Sequence, residues 1–180
     1  MASKEKYTLS PPVIAKYEAT DGIRVIGINS VLADYKLVWQ LNEQLSIKLT
    51  RQDDLVHGNG IYPYYHCSAE ENGPSYGFLA VSYDKKSILN FKPRLDYLFI
   101  IRYESLPTRI NTMFEKIKTL AGVNYAFLMD GYMDRLESAL YDVENYEDTV
   151  LMPKLRWLNS PEHAKEEIRQ RNIILGISNS

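Results

Sequence analysis

Most of the chain's capacity for nucleophilic or metal chemistry rests in three histidines, His57, His66 and His163, and one cysteine, Cys67. His57, His66 and Cys67 lie close together, but their spacing fits no zinc pattern and they do not make up four ligands. In an extended segment His66 and Cys67 point to opposite faces, so the expected role of Cys67 is a buried or structural thiol. Asp53 and Asp54, combined with Asp34 or Asp96, could work as an acid and base pair or hold a hard cation, although acidic residues at turns commonly do neither. Asp96 is set apart by its apolar neighbours, among which a buried carboxylate needs a hydrogen-bonding partner. Arg94 or Arg102 can supply one. Asp96, Tyr97 and Arg94 are therefore the candidate ligand or polar-core residues, with a structural contact as the simpler expectation. Gly58-Asn59-Gly60 lacks the lysine and hydroxyl residue, or the third glycine, of a phosphate loop and reads as a turn. No Gly-x-Ser-x-Gly elbow occurs, and the histidines form no ordered triad. The sequence thus assigns no catalytic residue, no metal ligand and no cofactor, and the balance is against an enzyme.

A second group lies near the C-terminus. Lys154, Arg156, Lys165, Arg169 and Arg171 surround Trp157 in sequence, a combination able to touch phosphates while an aromatic ring stacks. Glu162, Glu166 and Glu167 dilute that positive charge, and an amphipathic helix docking on a protein is the stronger expectation. Ile173, Ile174 and Leu175 offer it an apolar anchor. The candidate partner-binding residues are Trp157, Arg156, Arg169, Ile173 and Ile174.

These residues must be positioned by elements that periodicity reveals. The β-branched runs Val13–Tyr17 and Ile23–Ile28, with Asp21-Gly22 between them, read as a hairpin pair. Val31, Tyr35, Val38, Leu41 and Leu45 recur at helical spacing behind a cap at Asn29 or Ser30, with Asp34 near the helix start. Residues 46–50 alternate like a short strand. Residues 61–68 and 76–83 are aromatic-rich runs that read as an antiparallel pair, with Pro63 marking an edge or a bulge. The nearly continuous apolar run from Leu95 to Tyr103 reads as a central strand covered on both faces. Pro107 opens a helix with Ile110, Met113, Phe114, Ile117 and Leu120 on one face, closed by Gly122. A short strand follows at residues 125–129, then a helical stripe through Met133, Leu136, Leu140 and Val143. A break at Leu151-Met152-Pro153 precedes a last helix, capped by Ser160 ahead of Pro161 and Glu162 and stopped by Gly176. The order favours α+β: a single domain with a mainly antiparallel sheet packed by amphipathic helices, plus a C-terminal helical extension. The expected divisions are a flexible N-terminus at 1–11, the domain at 12–148, and an extension with one helix at 149–180.

Composition agrees with a folded chain. Hydrophobic residues are 45% and charged residues 24% of 180, ordinary globular values that leave enough apolar surface for one core. A net charge of −2 implies no global attraction to nucleic acid or anionic membrane. No apolar run approaches the roughly 18 residues needed to span a bilayer, and one cysteine cannot form an internal disulfide, so the expected setting is the cytoplasm. Tyrosine is abundant, with 14 residues, and its clustering between Tyr62 and Tyr83 fits a pleated, half-buried sheet surface.

The segment Ile28-Asn29-Ser30 through Asp34-Tyr35-Lys36-Leu37-Val38-Trp39-Gln40-Leu41-Asn42, followed by Leu95-Asp96-Tyr97-Leu98, resembles a bacterial family named for an IPExxxVDY signature. The resemblance covers roughly residues 12 to 143. Here the signature reads Leu89-Asn90-Phe91-Lys92-Pro93-Arg94-Leu95-Asp96-Tyr97, with Leu95 for the valine and without the proline and glutamate of the name. It implies an intracellular protein but no activity, cofactor or partner. The functional expectation is a non-catalytic protein-binding or assembly module, acting on a protein partner or by self-association. Behind it stand a small-ligand-binding protein or enzyme built around Asp96, Tyr97 and the tyrosine-rich sheet, and an RNA-associated protein using the basic C-terminal face.

Overall fold

A computed structural model describes residues 22–68 and 73–174. The chain enters through β1 (Ile23–Ser30) and α1 (Asp34–Leu45), followed by β2 (Thr50–Arg51), β3 (Leu55–His57), β4 (Gly60–Tyr62) and β5 (Tyr64–Cys67). Next come β6 (Ser75–Ala80), β7 (Ser82–Tyr83), β8 (Lys86–Ser87), β9 (Tyr97–Arg102), α2 (Pro107–Lys118) and β10 (Val123–Leu128). The C-terminal part is helical: α3 (Met133–Tyr146), α4 (Met152–Leu158) and α5 (Pro161–Ile174).

Six strands form one sheet in the order β10-β1-β9-β6-β5-β2, and every pairing in it is antiparallel. The architecture is the expected single α+β domain with an antiparallel sheet. β9 lies inside the sheet with all six residues buried, as its unbroken apolar character requires. Alternation divides the side chains between two cores. Ile26, Ile28, Tyr65, Phe78, Phe99 and Ile101 pack under α1 and α2. Val25, Tyr64, Leu79, Leu98 and Ile100 face the opposite way, toward Leu136 and Val143 of α3 and the β3–β4 hairpin.

Two glycines keep the second face shallow. A Cβ on Gly27 would stand 2.7 Å from Leu95 and 2.9 Å from the Met129 sulfur, and one on Gly77 would stand 2.7 Å from the Tyr64 hydroxyl. Larger residues here would push apart the layer that these side chains fill.

Several local expectations are corrected. Ile26–Ile28 pairs with β9 on one side and β10 on the other. Residues 13–17 themselves lie outside the described residues, as does Gly176. The inward face of α1 is Leu37, Val38, Leu41 and Leu45, while Val31 and Tyr35 are exposed, because the helix starts only at Asp34. The Ser30 hydroxyl instead accepts from the backbone of Leu32 at 3.1 Å, holding the turn before the helix. The strand at 46–50 shrinks to Thr50–Arg51, since Ser46 takes a left-handed conformation (φ 55°) that ends α1. The run at 61–68 is split at Pro63, where the chain passes from the β3–β4 hairpin into the main sheet. No break occurs at Leu151-Met152-Pro153. A π-helical turn at Glu147–Leu151 joins α3 to α4, so residue 148 falls within a continuous helical run. Pro153 lacks an N–H and crowds the preceding turn, and local widening of the helix accommodates both effects. Beyond it the chain has two helices, α4 and α5, where one was expected.

Candidate functional site

The least ordinary chemistry in the molecule is buried between the sheet and the π-helical turn. Arg102 ends β9 on the face that carries Leu98 and Ile100, and His66 lies on the same face of β5 as Tyr64. Glu147 is four residues beyond Val143 and four before Leu151, both fully buried, so the helix drives its carboxylate inward. The three meet: Arg102 Nη1 lies 2.9 Å from Oε1 and 2.8 Å from Oε2 of Glu147, with both side chains 8% exposed. The Tyr64 hydroxyl donates to the same Oε1. The edge of the Tyr146 ring meets the Tyr64 ring with centroids 5.8 Å apart.

His66 Nε2 sits 3.9 Å from Glu147 Oε1 and, like Arg102 Nη2, has no hydrogen-bond partner among the described residues. Burial, reinforced by the neighbouring Arg102 charge, pushes the His66 imidazole down to about 4, so it is neutral at ordinary pH. Burial works against the Arg102 charge, but Glu147 and Tyr64 together more than offset it and the net direction is upward. Burial and then the Glu147 carboxylate hold the Tyr64 hydroxyl well above its ordinary value. The group therefore contains one cation, one anion, a neutral imidazole and a neutral phenol. It clamps β5, β9 and the α3–α4 junction together.

The residues expected to form a ligand site have other partners. Asp96 immediately precedes β9. Its Oδ2 accepts from Asn29 Nδ2 at 2.6 Å and from the Ser30 backbone at 3.2 Å, and its Oδ1 lies 3.1 Å from Arg94 Nε. Arg94, not Arg102, is thus the basic partner of Asp96. The Arg94 carbonyl accepts from Asn29 at 3.1 Å and from the Tyr125 hydroxyl at 2.6 Å. Tyr97 belongs to the opposite core, where it stacks on Phe78 and donates to the Leu32 carbonyl at 2.7 Å. Burial, then Asp34 and Asp96, push its hydroxyl up to about 12. The Asp96 network joins β1, the start of β9 and β10, and Tyr97 fastens the sheet to the loop before α1.

The other candidates are likewise dispersed. Asp34 accepts from the Tyr65 hydroxyl at 2.9 Å, Asp53 lies 3.4 Å from Lys154, and Asp54 pairs with Arg51. His57 bonds to Asp142, tying the β3–β4 hairpin to α3. Cys67 packs against the α1–α2 core, across the sheet from His66. Among the described residues, no group of three His, Cys, Asp or Glu side chains is placed to hold a metal ion.

The C-terminal candidates share one helical arm. The Trp157 ring meets His163 with centroids 4.4 Å apart, and Ser160 caps α5 through the His163 backbone N–H at 3.1 Å. Trp157 is 56% exposed, Ile168 60%, Ile173 69% and Ile174 83%. Arg169 lies 3.7 Å from Glu166 and Arg171 4.0 Å from Glu167 along the helix, so part of the basic face is neutralised within α5. No described helix is long and apolar enough to cross a membrane. Comparison with protein-family models, curated proteins and solved structures finds no match.

Sequence reasoning missed the Arg102–Glu147–Tyr64–His66 group. Its signal is present all the same: one charged residue of each sign occupies an inward-facing position on an element whose other inward positions are apolar.

Proposed function

We propose that the chain is a non-catalytic protein-binding module, with the α4–α5 arm as its contact surface and the two-core domain as its platform. The observation that carries this reading is the condition of α5. Among its described side chains none is buried, although Ile168, Ile173 and Ile174 are large and apolar. An isolated helix of this length is marginal in water, and its exposed charge pairs each add only about 0.3–0.5 kcal/mol. Docking on another protein would cover part of this apolar surface together with Trp157 and supply the missing tertiary support. Tryptophan and arginine are also the residue types that dominate binding energy at interfaces.

Membership of the IPExxxVDY family belongs to the same reading, supported by Leu95-Asp96-Tyr97 leading into β9. A cytoplasmic setting suits the single free thiol of Cys67. The test is affinity purification from the native cells of the full chain and of a version ending at Asn159. That end point retains Leu151, which the core needs. A stoichiometric protein held by the full chain and lost from the shorter one is the expected result. Identical partners on both versions would remove α5 from the mechanism.

A further inference from the structure

A buried group that can donate or accept a hydrogen bond needs a partner, and two atoms beside Glu147 have none among the described residues: His66 Nε2 and Arg102 Nη2. Both are shut off from solvent, on side chains 2% and 8% exposed. Their neighbours are already engaged. Arg102 Nη1 holds both oxygens of Glu147, and Oε1 also accepts from the Tyr64 hydroxyl. His66 Nε2 stops 3.9 Å from that Oε1, too far for a hydrogen bond. One water molecule spans such a gap.

Strand register leaves room for it. β6 runs between β5 and β9, with Gly77 opposite His66 and Ser75 opposite Arg102. Residues 75 and 77 share a face, so the strand between the two unpaired groups carries only a hydrogen atom and a hydroxymethyl group at these positions. The Tyr64 hydroxyl reaches over Gly77, 2.7 Å from where a Cβ would stand, and keeps the space small. Charge selects the occupant. Arg102 and Glu147 balance each other while the imidazole and the phenol are neutral, so a cation or an anion would add an uncompensated buried charge. An apolar occupant would leave both atoms unpaired. Water donates as well as accepts, and it settles in buried sites with about three hydrogen bonds.

We infer that one internal water molecule is a fixed member of the buried group, donating to the Glu147 carboxylate, bonded to His66 Nε2 and accepting from Arg102 Nη2. It completes the clamp. Tyr64 joins β5 to Glu147 directly, and the water joins His66 of the same strand to the same carboxylate.

A crystal structure of the full-length, unaltered protein, at a resolution that orders internal water, tests this. The expected result is a single peak about 2.7–3.2 Å from His66 Nε2, the Glu147 carboxylate and Arg102 Nη2. In solution the same molecule should give a cross-relaxation signal between water and the ring protons of His66 and Tyr64. His66→Phe puts carbon in place of one partner, so the peak should be lost while Arg102 Nη1 stays within hydrogen-bond distance of Glu147. Direct contact of Nε2 with Glu147, a site without density, or a peak with the height and coordination of an ion overturns the inference. So does a peak that persists in His66→Phe, which would leave His66 outside the bridge. Because the first two measurements use the unaltered chain, they remain decisive if the variant fails to fold.

Discussion

Replacing Glu147 with glutamine removes one formal charge from the buried group and almost no volume. The glutamine oxygen can still accept from Tyr64 and Arg102, so the loss is concentrated in the charge that balances Arg102. That guanidinium is 8% exposed, and arginine is too basic to give up its proton in a protein, so it stays charged in the variant. Removing one member of a buried pair costs about 3–5 kcal/mol. The retained hydrogen bonds place Glu147→Gln near the lower end, at about 3 kcal/mol. For a chain of this size each kcal/mol moves Tm by about 2–4 °C, so the midpoint should fall by about 6–12 °C. Urea titration at neutral pH measures the free energy directly, with an unchanged m-value expected because the same surface is exposed on unfolding. The triple variant Arg102→Met, Glu147→Leu and Tyr64→Phe removes both charges and the hydroxyl that Glu147 accepts from. It should recover to within about 1 kcal/mol of the unaltered chain, since hydrophobic residues of similar volume commonly substitute for a buried ion pair and neither position 102 nor position 64 leaves a buried donor unpaired. A single variant within about 0.5 kcal/mol of the parent, or a triple variant no better than the single, would refute the assignment of a desolvated pair.

Two further perturbations probe the same group. The His66 value is lowered from 6.5 to about 4 on folding, so its contribution is fully present above pH 6.5 and is lost as pH falls toward 4, where the unfolded chain binds the proton first. That window corresponds to about 3 kcal/mol, and His66→Gln should flatten the pH dependence of the urea midpoint across it; an unchanged slope would assign the effect to other groups. Gly77→Ala should destabilise by about 1–3 kcal/mol by driving the Tyr64 hydroxyl off Glu147, and the added cost should shrink in a Tyr64→Leu background. Equal penalties in both backgrounds would mean that the new methyl group does not act through Tyr64.

What was legible in the sequence divides by range. β9 and α2 could be read because each declares itself locally, one as an unbroken apolar run and the other through Ile110, Met113 and Ile117 behind Pro107. α5 was also readable from Ser160-Pro161-Glu162, although α4 ahead of it was not. α1 was harder, because two overlapping sets fit helical spacing. Only the fact that Val31 lies ahead of the helix, in a turn held by Ser30, selects Leu37 over Tyr35 for the core.

The buried group required a different kind of inference. Arg102 looked like a partner for Asp96, yet strand parity sets it beside Leu98 and Ile100, and the Asp96 carboxylate is taken by Arg94, Asn29 and Ser30. Glu147 lies between the helical stripe that ends at Val143 and the break read at Leu151-Met152-Pro153, yet Leu151 four residues later continues the inward stripe. Each residue read alone has an ordinary explanation in local pattern. Together they do not, because a lone inward charge on a helix needs an opposite charge on the facing layer. Arg102 meets that requirement across a separation of 45 residues. Burial cost, rather than periodicity, is what makes the pairing inferable.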